Sequence, residues 1–118
     1  MILMISSNGE TLGSQPSLRF GRAPYFIQYD LEQNTWEAHP NEAVHERGGA
    51  GVASTQFLID HKANAALSGS FGPNAFHALS SAGIKMWSFD GSYETVQSVI
   101  DGFKENRLEE VANQGRHQ

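Results

Sequence analysis

The chain has 118 residues, no cysteine and a formal net charge of −5 at pH 7. This length suits one domain that buries about 65% of its unfolded surface around a single core. Without thiols the chain offers no cysteine-ligated zinc, no iron–sulfur cluster held by its own thiolates and no thiol nucleophile. The negative charge argues against general nucleic-acid binding, which needs a basic face to displace counterions.

Targeting signals are missing from the apolar opening of the chain. Residues 1–5 lack a positive n-region, and the run is too short for the core of a signal peptide. No other stretch approaches the roughly 20 apolar residues of a membrane span. We therefore expect a cytoplasmic protein without a membrane partner.

Short apolar runs predict five β-strands. The first run is continuously apolar, which is typical of a strand buried on both faces. The second and third flank the turn-like segment 31–34, so they predict a hairpin. Each of the last two follows a helical stretch. The runs are residues 1–6, 25–30, 35–38, 65–68 and 84–89.

Three helices are predicted between and after these strands. Apolar periodicity marks the first over residues 51–62. Pro73 begins the second, at a first-turn position where its missing N–H has no cost, and Gly83 ends it. Ser92 is the predicted N-cap of the third, whose apolar positions extend to Phe103.

The order of these elements predicts an α/β domain with a mixed sheet and helices on its faces. Two strand–helix–strand crossovers imply parallel strands, while the hairpin adds antiparallel pairing. We expect a single domain over residues 1–112. Residues 106–118 are polar and predict a frayed end, with 113–118 as the tail.

The long loop of residues 8–24 contains two arginines, Arg19 and Arg22, on either side of a Phe-Gly turn. A loop of this length is uncommon in a compact domain unless it is functional or disordered. Guanidinium groups offer several fixed donors and a permanent charge, so this pair suits an anion. The alternative is two solvated arginines with Phe20 in the core.

Two glycine-bearing turns, residues 48–51 and 68–74, precede predicted helices. Glycine lets the backbone approach a ligand closely, and free N–H groups at a helix start favour anions. The second turn lies beyond the carboxyl end of a predicted parallel strand, where open α/β sheets bind ligands. The first follows a polar loop instead of a strand, which argues against a dinucleotide fingerprint. A flexible hinge is its alternative interpretation.

Histidine is the remaining candidate metal ligand. No pair of the five histidines has the spacing of a zinc protease, and no carboxylate cluster accompanies them. His45 precedes the first glycine turn, and His77 lies one turn into the helix after the second. For any single histidine of this kind, a structural position on the surface or in the core is more common than metal ligation.

Several motifs occur together in a fixed order. They are residues 19–26 (RFGRAPYF), 48–52 (GGAGV), 72–76 (GPNAF) and 82–85 (AGIK). Together they resemble the dinitrogenase iron–molybdenum cofactor biosynthesis family, which includes NifX, NafY and the C-terminal domain of NifB. The similarity covers the chain except for its last few residues.

The resemblance implies a ribonuclease-H-like fold with a five-stranded mixed sheet. It also implies a non-catalytic protein that binds or carries an anionic metal–sulfur cluster, of iron–molybdenum or iron–sulfur type, or its precursor. The cluster is held transiently and not covalently during metallocofactor assembly. The implied partners are assembly proteins or an apo-acceptor.

The resemblance and the loop composition predict the same site. Members linked to nitrogenase often carry histidine where this chain has Arg19 and Arg22. A retained site would therefore hold a cluster by charge and hydrogen bonds, use His45 or His77 as its ligand, or bind something else. The predicted cluster-binding residues are Arg19, Phe20, Gly21, Arg22, Gly48, Gly49, Gly51, Gly72 and Asn74, and the predicted metal ligands are His45 and His77.

Two other functions remain open from the sequence. The same glycine turns suit a sensor or enzyme that binds a small phosphorylated ligand or a nucleotide. Alternatively, exposed aromatic residues such as Trp36 or Trp87 would make the chain an interaction module without a ligand.

Overall fold

The protein is built on a six-stranded mixed sheet with the strand order β3-β2-β1-β4-β5-β6. The computed structural model describes residues 1–45 and 48–112. The strands are β1 (Ile2–Ser7), β2 (Tyr25–Asp30), β3 (Thr35–Pro40), β4 (Ala65–Ser68), β5 (Lys85–Ser88) and β6 (Glu109–Glu110). The helices are α1 (Ala50–Asp60), α2 (Gly72–Ser81) and α3 (Val96–Lys104), and a 3₁₀ turn spans Glu42–His45.

Strand β1 is central and pairs in both directions. It lies antiparallel to β2, with Leu3 opposite Tyr29, and parallel to β4, with Leu3 opposite Ala65. Strand β5 continues the parallel part, while the β2–β3 hairpin and β6 are antiparallel additions. The predicted mixed sheet and hairpin are therefore confirmed.

Helices cover both faces of β1, as its continuous apolar run predicts. Successive side chains of a strand point to opposite faces. Met4 packs in one core cluster with Leu58 of α1 and Leu79 of α2. Ile5 packs in the other with Val99 of α3. No helix among the residues described is long and apolar enough to cross a membrane.

The sixth strand corrects the predicted count of five and the predicted fraying after residue 106. Ser88 of β5 pairs with Glu109 of β6, and the Val111 N–H donates to the Met86 carbonyl oxygen at 2.9 Å. The side chain of Val111 also packs on the core. On the other side of β6, Leu108 packs on the second core cluster. Backbone pairing and these two apolar contacts order a segment whose polar residues carry no strand pattern. The predicted tail, residues 113–118, lies outside the described residues.

Helix α3 begins later than predicted, because Thr95 and not Ser92 is its N-cap. Thr95 Oγ1 accepts a hydrogen bond from the Ser98 N–H at 3.0 Å, and Ser98 Oγ accepts one from the Thr95 N–H at 3.2 Å. This reciprocal pair is a capping box. Ser92 instead bonds to Asp90 within the preceding turn. The predicted end of α2 is confirmed, since Gly83 follows it with a φ of 77°.

Candidate functional site

A cleft of about 430 Å³ lies beyond the carboxyl ends of β1 and β4. Three segments surround it: the loop after β1, the start of α1 and the turn from β4 into α2. Eight of the nine predicted cluster-binding residues line this cleft, and Gly48 does not. We call it the glycine cleft, and its lining residues are Arg19, Phe20, Gly21, Arg22, Gly49, Ala50, Gly51, Ser70, Phe71, Gly72, Pro73, Asn74 and Ala75.

Buried serines hold the arginine loop against the ends of β1 and β4. Ser6 Oγ lies 2.8 Å from the Ser17 carbonyl oxygen and 2.8 Å from Ser68 Oγ, and all three residues are buried. One step further along, Ser70 Oγ donates to the Leu18 carbonyl oxygen at 3.0 Å. The loop therefore has a defined path where it reaches the cleft. The sequence does not predict these serine contacts, since hydroxyl pairs between separate strands leave no local pattern.

Phe20 anchors the loop in the core beneath the cleft. Its side chain is 1% exposed, and its ring centroid lies 5.3 Å from that of Phe26 and 5.4 Å from that of Phe71. Its N–H donates to the Ser70 carbonyl oxygen at 3.0 Å. The alternative interpretation of Phe20 as a core residue is thus confirmed, and only the backbone around it is available to a ligand.

The two arginines of the loop have different surroundings. Arg22 Nη1 donates to the Val44 carbonyl oxygen at 3.1 Å, which ties the loop to the 3₁₀ turn. Arg19 is exposed, and its guanidinium makes no hydrogen bond or ion pair with any other described residue. Arg19 therefore keeps all its donors for a ligand.

The starts of α1 and α2 touch each other because residue 51 is glycine. A Cβ added at Gly51 would lie 2.9 Å from the Cβ of Ala75 and 3.2 Å from its backbone nitrogen. A Cβ added at Gly21 would likewise lie 3.2 Å from the nitrogen of Gly51. Side chains at these positions would separate the three segments. The glycines thus bring two helix N-termini and the arginine loop together.

Both helix starts in the cleft lack side-chain caps. The N-cap residues, Gly49 and Phe71, provide no side-chain hydrogen bond, and neither first turn contains an acidic residue. The first-turn N–H groups and the helix dipoles therefore favour a negative ligand. Because no aspartate or glutamate is among the described residues that line the cleft, Arg19 and Arg22 make this lining positive within a chain of charge −5.

The predicted metal ligands lie elsewhere. His45 is exposed at the end of the 3₁₀ turn, and His77 is exposed on α2 with its ring 5.7 Å from Phe76. Neither lines the glycine cleft. Within residues 1–45 and 48–112, no group of three or more His, Cys, Asp or Glu side chains is arranged to hold a metal ion.

The tryptophans proposed for an interaction module differ in exposure. Trp36 on the edge strand β3 is 42% exposed. Trp87 is partly buried and packs edge-on against Phe103, with ring centroids 5.0 Å apart. One exposed tryptophan is a normal surface feature and does not by itself define a partner site.

A match to the dinitrogenase iron-molybdenum cofactor family extends over residues 1–106. The chain belongs to this family. Its sequence motifs for that family, residues 19–26, 48–52 and 72–76, meet around the glycine cleft. No match was found among curated proteins.

Two solved structures resemble the chain over nearly its full length. The apo form of the orange protein from Desulfovibrio gigas is 29% identical, with a TM-score of 0.91 over 98% of this chain and 96% of that one. A candidate NifB protein from Thermotoga is 38% identical, with a TM-score of 0.85 over 99% of this chain and 98% of that one. Both agree with the family and with the α/β fold.

Proposed function

We propose that this member of the family is a non-catalytic carrier of an anionic metal–sulfur cluster or its precursor during metallocofactor assembly. The observation that carries this proposal is the glycine cleft, where two helix N-termini without side-chain caps converge with two arginines, and where no described lining residue has a carboxylate. The family's name points to an iron–molybdenum cargo. The ribonuclease-H-like fold and the cytoplasmic location stay predictions.

The donors in the cleft determine which kind of cluster fits. Within residues 1–45 and 48–112, the lining offers guanidinium and backbone N–H groups but no thiolate, imidazole or carboxylate. A cluster that needs protein atoms to complete its metal coordination therefore does not fit. An anion whose metals are already coordinated by its own sulfides fits, held by charge and hydrogen bonds.

This type of binding suits a carrier. Hydrogen bonds and charge release a cargo without breaking a metal–ligand bond, so transfer to an apo-acceptor or another assembly protein needs no ligand exchange on this chain. The volume of about 430 Å³ is within the range of small-ligand sites. Arg19 is the residue best placed to contact the cargo, because its guanidinium is exposed and its donors are not used within the described protein.

Anaerobic binding of tetrathiomolybdate tests the proposal. We expect the anion to stay with the wild-type protein through gel filtration and the variant Arg19→Ala to bind it roughly tenfold more weakly, which corresponds to about 1.4 kcal/mol. The control is Arg107→Ala, which removes the same charge from an exposed arginine outside the cleft. The proposal would be overturned if the wild-type protein retained neither tetrathiomolybdate nor a supplied iron–sulfur cluster. It would also be overturned if Arg19→Ala and Arg107→Ala bound tetrathiomolybdate with equal affinity.

The phosphorylated-ligand alternative uses the same donors and is tested in parallel. Inorganic phosphate and nucleotides that bind the folded chain raise its melting temperature by mass action. A rise that Arg19→Ala abolishes, without retention of a metal–sulfur anion, would favour a phosphate-binding sensor or enzyme over the carrier.

A further inference from the structure

Two histidines distant in sequence form a pair outside the glycine cleft. His39 on β3 and His61 at the end of α1 are partly buried, and their ring centroids are 4.6 Å apart. Both rings pack on Phe57, at centroid distances of 5.3 Å and 4.0 Å. Neither histidine lines the cleft.

Hydrogen bonds determine which nitrogen of each ring carries a lone pair. His61 Nδ1 lies 2.9 Å from the Phe57 carbonyl oxygen, which only accepts, so the proton is on Nδ1 and the lone pair on Nε2. His39 Nε2 lies 2.8 Å from Gln28 Oε1, so its lone pair is on Nδ1. Histidines that bind metals are oriented in this way, with the other ring nitrogen donating to an oxygen.

The surroundings of His39 shift its pKa. Burial, followed by the charge of His61, lowers the pKa of His39 from its ordinary value, while the carboxylate of Glu37 acts in the opposite direction.

The separation of the two rings favours a particular coordination geometry. A metal–nitrogen bond of about 2.1 Å places the metal about 3.2 Å from the imidazole centroid. Two imidazoles at a right angle then have centroids about 4.5 Å apart, and two opposite imidazoles have centroids about 6.4 Å apart. The observed 4.6 Å allows the right-angle arrangement and is too short for two opposite imidazoles. Cu²⁺ and Ni²⁺ prefer this arrangement in tetragonal sites.

We propose that His39 and His61 form a second binding site, which takes a divalent transition-metal ion of the Cu²⁺ or Ni²⁺ type, with water in its other positions. Cu²⁺ is expected to bind most tightly, because it forms the most stable complexes with nitrogen ligands among the divalent first-row metals. The site and the glycine cleft would bind opposite charges, a cation and an anion. The proposal therefore stands or falls independently of the carrier function.

Titration with Cu²⁺ alone, followed by electron paramagnetic resonance and calorimetry, tests the site. We expect one tight ion with two coordinated nitrogens in the wild-type protein. His39→Asn and His61→Asn, on two separate elements, should each weaken Cu²⁺ binding by at least roughly tenfold. Loss of a mere hydrogen-bond partner of a metal-bound histidine already costs about this factor. His77→Asn, which alters an exposed histidine elsewhere, should bind as the wild type does. Unchanged affinity in both His39→Asn and His61→Asn would overturn the proposal.

A measurement on the wild-type protein removes any dependence on how the variants fold. Bound Cu²⁺ broadens the NMR signals of nearby nuclei, so the amide signals of Gln28, His39 and His61 should weaken first and in step. Ni²⁺ added beforehand should slow this loss by competing for the site. Broadening centred on the N-terminus, His45 or His77 would refute the assignment.

Discussion

Replacement of Gly51 by alanine tests whether the two helix starts of the glycine cleft must be in contact. The new Cβ would lie 2.9 Å from the Ala75 Cβ and 3.2 Å from the Ala75 nitrogen. These atoms belong to a methyl group and a backbone that cannot rotate away. The starts of α1 and α2 must therefore move apart by a few tenths of an ångström.

The expected loss of stability follows from two opposing effects. Overpacking costs about 1–3 kcal/mol, while alanine in place of glycine favours a helix by up to about 1 kcal/mol. We expect Gly51→Ala to lower the free energy of unfolding by about 0.5–2 kcal/mol. Each kcal/mol lowers the Tm by about 4 °C for a chain of this size. Urea denaturation with an unchanged m-value measures the change directly.

Two further variants make this prediction refutable. Gly91→Ala adds a Cβ that meets nothing within 4 Å, so its stability should stay within about 0.5 kcal/mol of wild type. In an Ala75→Gly background the nearest atom is gone, and Gly51→Ala should be less destabilising there. A loss no larger than that of Gly91→Ala, or a loss unchanged in the Ala75→Gly background, would show that the contact does not matter.

Three other perturbations have defined outcomes. Ser6→Ala should lower the free energy of unfolding by about 1–3 kcal/mol in urea, because the buried Ser17 carbonyl oxygen and Ser68 hydroxyl lose a partner. Thr95→Ala should cost about 1 kcal/mol by the same assay, through loss of the helix cap. His39→Gln should remove one component of the pH dependence of the free energy of unfolding. In wild type, the lowered pKa of His39 makes this free energy fall as the pH decreases below 6.5 and stay level above it.

The controls and contrary outcomes differ among these three. Ser80→Ala, at an exposed helix position, should change stability by less than about 0.5 kcal/mol, and an equal effect from Ser6→Ala would contradict the buried role. For the helix cap, Thr95→Ser keeps the oxygen and should retain most of the stability. For the titration, a variant His39→Gln with the wild-type slope between pH 5 and 7 would contradict the lowered pKa.

The strands were largely predictable because their signal is local. Residues 1–5 are all apolar, and the structure buries β1 between helices on both faces. Polar strand β6 was missed because its order comes from pairing with β5 and from the core contacts of Leu108 and Val111. Thr95 was missed as a cap because Ser92 has the same capping chemistry. The choice between the two depends on tertiary contacts, since the Val96 and Gln97 N–H groups donate to the carbonyl oxygens of Ser14 and Leu12, each at 2.9 Å.

The site residues were predictable as segments but not as individual side chains. Glycine, arginine and proline have strong local preferences, so the loops that carry them could be located and related to the ends of strands. The direction of a side chain depends on packing. The Phe20 side chain is buried in the core although the residue lines the cleft, and His77 does not line the cleft although Ala75, two residues earlier, does.

By itself, the sequence of this protein determined its family, its mixed sheet and the absence of thiol ligands, because motifs, strand runs and composition are properties of contiguous residues or of residue types. Only the tertiary structure decided that the starts of α1 and α2 are in contact, and that His39 lies beside His61. Both arrangements join segments far apart in the chain. Their physical origin is close packing. The contact of Gly51 with Ala75 and the packing of two imidazoles on Phe57 set distances that no local pattern encodes.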